Sequence, residues 1–135
     1  MLRLMILILG LASVNAIAAA PDCGNVGSLD DAIVCLQTEV SKAEAQMGQY
    51  LDASKRRHAG DRTQLKVIDA TQESWHNIRR FQCGAVNVLP RDEKKHIAEV
   101  LSCRVRELRA RTHRIWESYL TYPDGRQPDL PEPGR

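Results

Sequence analysis

Gln72, Trp75, Arg79 and Cys83 follow one another at steps of three, four and four residues. On a helix that spacing brings all four to one face. The face would carry an indole, an amide, a guanidinium and a thiol, where an ordinary amphipathic helix places Leu or Ile. Such groups can grip a ligand. They can also bond to each other inside a bundle, because buried polar groups without partners cost a few kcal/mol each. The structural expectation is that Trp75 anchors the core while Gln72 and Arg79 bond backbone carbonyls or Tyr50. Arg111 is expected to approach Arg79, and the two cations would then need a shared acceptor such as Asp69 or Glu44.

Catalytic constellations are weaker. Carboxylates are plentiful, among them Asp30, Asp31, Glu39, Glu44, Asp52, Asp69, Glu73, Glu99 and Glu107. No spacing selects a facing pair of the kind that hydrolyses a glycosidic bond. Glu73 and His76 stand three apart and could couple as acid and base, but such pairs are usually solvated surface contacts. The histidines His58, His76, His96 and His113 are scattered, no Cys-x-x-Cys pair exists, and no Gly-x-Ser-x-Gly element occurs. The reading is a non-enzyme without metal or cofactor. Arg104, Arg106, Arg109, Arg111 and Arg114 cover much of one segment. They read as a solvated, salt-bridged face, or as a patch for anionic glycans, lipopolysaccharide or an acidic protein surface.

The elements that must position these residues are helical. Ser28 with Asp31 is a weak capping box. Ile33, Leu36, Val40, Ala43, Met47, Tyr50 and Ser54 then recur at alternating three and four, and Gly60 follows a basic last turn. Asp61 is the expected N-cap of a second helix through Leu65, Ile68, Gln72, Trp75, Arg79 and Gln82. Val67, Ile78 and Phe81 add an apolar flank, so this helix is expected to be contacted on two sides. Pro90 fits the first turn of a third helix, whose seam runs through Ile97, Leu101, Arg104, Leu108, Arg111, Ile115 and Tyr119. The fold class is all-α, a small antiparallel bundle of three long helices.

The beginning of the chain points outside the cytoplasm. Arg3, the apolar run 4–12 and the small residues at Ala16, Ala18, Ala19 and Ala20 read as a secretory signal over 1–18. The run falls short of the roughly 20 apolar residues of a spanning helix, so no stable membrane insertion is expected. The protein is expected in the bacterial periplasm or secreted. The full chain carries a net charge of only +2, which argues against nucleic-acid binding. Cys23, Cys35, Cys83 and Cys103 all lie in the exported part and read as two disulfides. Four thiols allow three pairings. Cys35 lies roughly 9 Å and Cys103 roughly 20 Å along their helices, distances the preceding loops can retrace. The expected pairs are Cys23–Cys35 and Cys83–Cys103. The segment 122–135 holds four prolines and two glycines and is expected to be a disordered tail, leaving 19–121 as the domain.

With this pattern in place the sequence resembles the small exported domain named for the N-terminal part of the mycobacterial lysozyme inhibitor LprI, also found in short YecT-like proteins of Gram-negative bacteria. The resemblance rests on Cys23 and Cys35, on Tyr50, on Ala70-Thr71-Gln72-x-x-Trp75-x-x-x-Arg79-x-x-x-Cys83, and on Cys103 with Arg111 eight residues on. It covers roughly residues 22–118. The chain departs from the pattern at Gln46-Met47, where Leu-Asn is frequent, and at Leu108, where threonine is frequent. The resemblance implies a binding protein whose partner is a lysozyme-type muramidase. Residues 59–62 and 84–89 are the candidate contact loops, and an exposed polar loop beside Cys83–Cys103 is expected. A different class, an envelope structural or chaperone-like component, predicts instead an exposed apolar patch on the Val67-Ile78-Phe81 flank.

Overall fold

A computed structural model describes residues 22–85 and 92–134. The expected signal 1–18 and most of the loop 84–89 lie outside the described residues. Three helices account for the fold: α1 (Leu29–Arg57), α2 (Arg62–Gly84) and α3 (Glu93–Tyr119). No strand occurs among the described residues.

The helix starts follow from local capping chemistry. Ser28 has extended backbone angles, and its hydroxyl accepts the Asp31 amide at 3.1 Å while donating to the Asp31 carboxylate at 2.6 Å. Asp61 accepts the Gln64 amide at 2.9 Å and opens α2. Asp92 caps α3 by accepting the Lys94 amide at 3.0 Å, so α3 begins at Glu93. The expectation had Pro90 inside its first turn; that residue lies outside the described residues.

Side-chain pairs give the helix directions. Lys55 meets Asp69 at 2.6 Å and Gln72 meets Met47, so α1 and α2 are antiparallel. Cys83 is bonded to Cys103 and Gln72 to Arg111, so α2 and α3 are antiparallel as well. Asp30 pairs with Lys94 and Arg57 donates to the Thr121 carbonyl, so α1 and α3 run the same way. The result is an up–down–up bundle. Among the three pairs α1 and α3 pack most extensively, and α2 keeps its backbone farther away.

The core lies mainly between α1 and α3. Val40, Ala43, Met47, Tyr50 and Ala53 meet Leu101, Val105, Leu108 and Ile115, with Leu120 closing one end. From α2, Ile68 is fully buried and Trp75 enters the core cluster. The disulfides are Cys23–Cys35 and Cys83–Cys103, as expected, and no free cysteine remains among the described residues. Glu39, buried in α1, is held between Lys42 at 3.0 Å and Arg109 at 2.8 Å.

Two expectations are corrected. The Val67-Ile78-Phe81 flank is open to solvent, with Phe81 73% exposed, and is not a second packed side of α2. Residues 122–134 are not a free tail. They lack regular structure but lie against the bundle, with Leu130 packed on the core and Pro133 buried. The composition rule for disorder looks for apolar content within the segment. Here the apolar partners come from α1 and α3.

Candidate functional site

The sequence-predicted stripe forms one connected cluster between α2 and α3. Gln72 is buried, and its Oε1 accepts Nε of Arg111 at 2.9 Å. Its Nε2 lies 3.6 Å from Met47 Sδ and 3.3 Å from His76 Nε2. A second nitrogen of Arg111, Nη2, donates to Thr71 Oγ1 at 3.2 Å, and that hydroxyl lies 3.2 Å from the Tyr119 hydroxyl. A single guanidinium therefore ties two consecutive residues of α2 to α3, using donors on two separate nitrogens of its planar fork.

Trp75 lies between the two arginines. The Arg79 guanidinium carbon sits 4.9 Å and that of Arg111 6.0 Å from its ring centroid. Each distance is within cation–π range. The ring keeps both cations beside it without a shared acceptor. Arg111 uses the neutral oxygens of Gln72 and Thr71, and Arg79 Nη1 reaches Glu44 Oε1 at 3.7 Å, an ion pair too long for a hydrogen bond. Of the two acceptors expected from the sequence, Glu44 serves Arg79 alone, and Asp69 pairs with Lys55 instead. Burial lowers the proton affinity of Arg111, Arg114 adds to that and Tyr119 opposes it. His76 titrates below its ordinary value of 6.5, first through burial, then through the positive charges of Arg79 and Arg111, with Glu44 acting the other way.

Tyr50 does not belong to this cluster. Its hydroxyl donates 2.7 Å to the carbonyl oxygen of Pro131, on the far side of the bundle from α2's polar face. Burial raises its pKa. Glu73 and His76 do not pair either; the imidazole faces Gln72. No group of three metal-ligating side chains occurs among the described residues.

Around the stripe the surface is cationic and concave. His76, Asn77, Arg79, Arg80 and Arg104, with Cys83, Gly84 and Val100, line a cavity of about 430 Å³ beside the Cys83–Cys103 bridge. Among the described residues no carboxylate lines it. Among the described residues Arg80 bonds Asn77, at 3.1 Å, and neither Arg80 nor Arg104 makes an ion pair. Guanidinium groups in this state suit a carboxylate or other oxyanion. The arginines of α3 thus divide: Arg109 is taken by Glu39 and Arg111 by Gln72 and Thr71, while Arg104 stays available. Sequence reading found Arg104 and Arg79 but not Arg80 or His76 as their companions. The signal was present in the i, i+3, i+4 spacing of His76, Arg79 and Arg80.

No curated protein and no solved structure matches this chain at significance. A family model described as Lysozyme inhibitor LprI matches residues 23–115. The matched span opens at the first bridged cysteine and contains both disulfides, Tyr50, the Gln72-Trp75-Arg79 stripe and Arg111. On that match, covering most of the chain, the protein belongs to the LprI lysozyme-inhibitor family.

Proposed function

We propose that this protein acts outside the cytoplasm as a binding protein that inhibits a lysozyme-type muramidase, without catalysis of its own. The observation that carries the reading is the family match over 23–115. Two disulfides and a bundle stapled by them suit an exported protein, and no described helix is long and apolar enough to cross a membrane.

The contact surface we favour is the end of the bundle at Cys83–Cys103. Enzymes that cleave glycosidic bonds ordinarily use a pair of carboxylates flanking the scissile bond. A cavity edged by Arg79, Arg80, Arg104 and His76, with no carboxylate among its described lining residues, is the electrostatic complement of such a cleft. The bridge fixes this end before binding, which lowers the ordering entropy lost on contact. Of the two candidate contact loops, 59–62 lies at the opposite end of α2, whereas 84–89 follows directly on Cys83 in the sequence.

The test is hydrolysis of a cell-wall suspension by animal and bacterial lysozymes, with and without the mature protein. Inhibition of at least one enzyme is expected, weakened about tenfold or more by Arg80→Glu with Arg104→Glu, since close like charges at a binding surface cost well over 1 kcal/mol. No inhibition of any enzyme would remove the muramidase as partner. A second reading, an envelope structural or chaperone-like component, is favoured by one observation. Val67, Ile78 and Phe81 leave an apolar strip on α2 at 42, 54 and 73% exposure. Such strips often mark protein contacts.

A further inference from the structure

The tail re-enters the fold along the side of the bundle that α2 leaves free. After α3 the chain reverses at 122–125, where the Gly125 amide bonds the Tyr122 carbonyl at 3.1 Å and Gly125 takes φ +76, a left-handed value suited to glycine. It then runs back between α1 and α3. The indole N–H of Trp116 donates to the Leu130 carbonyl at 3.0 Å, and the hydroxyl of Tyr50 donates to the next carbonyl, Pro131, at 2.7 Å. His113 meets the Glu132 carboxylate at 2.8 Å. Leu130 packs on the core and Pro133 is buried.

Two helices thus supply two donors to consecutive carbonyls, an apolar seat for a leucine, a basic partner for an acidic residue and a covered seat for a proline. Proline suits the segment twice over. It narrows the conformations the free segment must give up, and it brings no N–H that the groove would have to satisfy. Docking of proline-rich segments on aromatic-lined grooves with hydrogen-bond donors is a recurrent mode of peptide recognition. Tyr50 lies inside the family-matched span, whereas residues 128–134 lie beyond it.

We propose that the groove formed by Tyr50, His113 and Trp116 is a recognition site for an apolar-Pro-acidic-Pro segment of a partner protein, and that Leu130-Pro131-Glu132-Pro133 is its resident occupant. The tail competes with the partner's segment at the millimolar effective concentration that a short tether confers. A partner gains access when its segment, joined to further contacts elsewhere, outbids the tail. The groove is separate from the cationic cavity beside Cys83, so the proposal stands or falls independently of muramidase inhibition.

The full chain carrying Leu130→Ser and Pro133→Ser, which loosens the tail and leaves the groove intact, is titrated with a fluorescein-labelled peptide of residues 127–134. Fluorescence anisotropy should show saturable binding about tenfold or more tighter than to the wild-type chain, whose tail competes. Adding Tyr50→Phe should weaken that binding about fivefold, the usual effect of one neutral hydrogen bond. Absence of binding to a variant that keeps helical circular dichroism and a cooperative melt overturns the proposal, as does equal binding to both chains. If the variant does not fold, ¹⁵N relaxation of the wild-type chain decides. Leu130, Glu132 and Gly134 amides as rigid as those of α3 are the expected result, and coil-like values at all three overturn it.

Discussion

Trp75 enters the core cluster and lies beside two cations, so removing it affects packing and electrostatics together. Trp75→Ala should cost about 3–5 kcal/mol, the usual loss for truncating a buried aromatic. Denaturant unfolding followed by circular dichroism checks this, and an unchanged midpoint would put the indole outside the core. His76 gives a pH signature beside it. Its folded-state pKa is lowered by burial, Arg79 and Arg111, so the unfolded chain takes up a proton at higher pH than the folded one. Between its ordinary value of 6.5 and the lowered folded value the unfolded state binds more protons, and stability falls as pH drops through that window. Melting temperatures should decline below about pH 6.5 more steeply for the wild type than for His76→Gln, which keeps a partner for Gln72 but cannot charge. Parallel curves for the two proteins would refute this assignment. These residues also show what sequence can and cannot deliver. The spacing of Gln72, Trp75 and Arg79 declared a shared face, because helical geometry is local. The acceptors did not follow from spacing: Asp69 and Glu44 are equal candidates in the sequence, and the fold gives Asp69 to Lys55 and Glu44 to Arg79.

The helices differ in how they are secured. Tight packing of small and aliphatic side chains joins α1 to α3, whereas α2 is attached through Ile68, Trp75, the Arg111 fork and one disulfide. That makes Cys83–Cys103 more than an added staple. Cys83→Ala with Cys103→Ala should lower stability by about 3 kcal/mol, the loop-closure value for a bridge of this span. Native-state hydrogen exchange should show the loss concentrated in α2 amides, with α1 and α3 less affected. Uniform deprotection of all three helices would mean the bundle opens as one unit. Helix starts were readable because capping is short-range: Ser28 with Asp31, and Asp61, act within three residues. The surroundings of α2 were not readable in the same way. An apolar residue such as Phe81 has the same periodicity whether a neighbour covers it or solvent does.

Across the whole molecule, near-neutrality conceals a division of charge. The net charge of +2 suggested no strong attraction to any charged partner. Yet arginines and a histidine gather around the cavity at the Cys83–Cys103 end, while Glu39, Asp69 and Asp30 are occupied with Arg109, Lys55 and Lys94 elsewhere. A sum over the sequence cannot register where folding sends each side chain. The docking of 122–134 is hidden from composition for a related reason: its holding groups, Tyr50 and Trp116, are 81 and 14 residues from the carbonyls they bind. The protein has two tryptophans, and they occupy unlike places. Trp75 belongs to the seam of α2 and Trp116 to the groove beneath the tail. With one indole replaced by phenylalanine at a time, the emission spectrum becomes a two-channel optical gauge, one channel following the docking of a helix and the other the seating of a peptide.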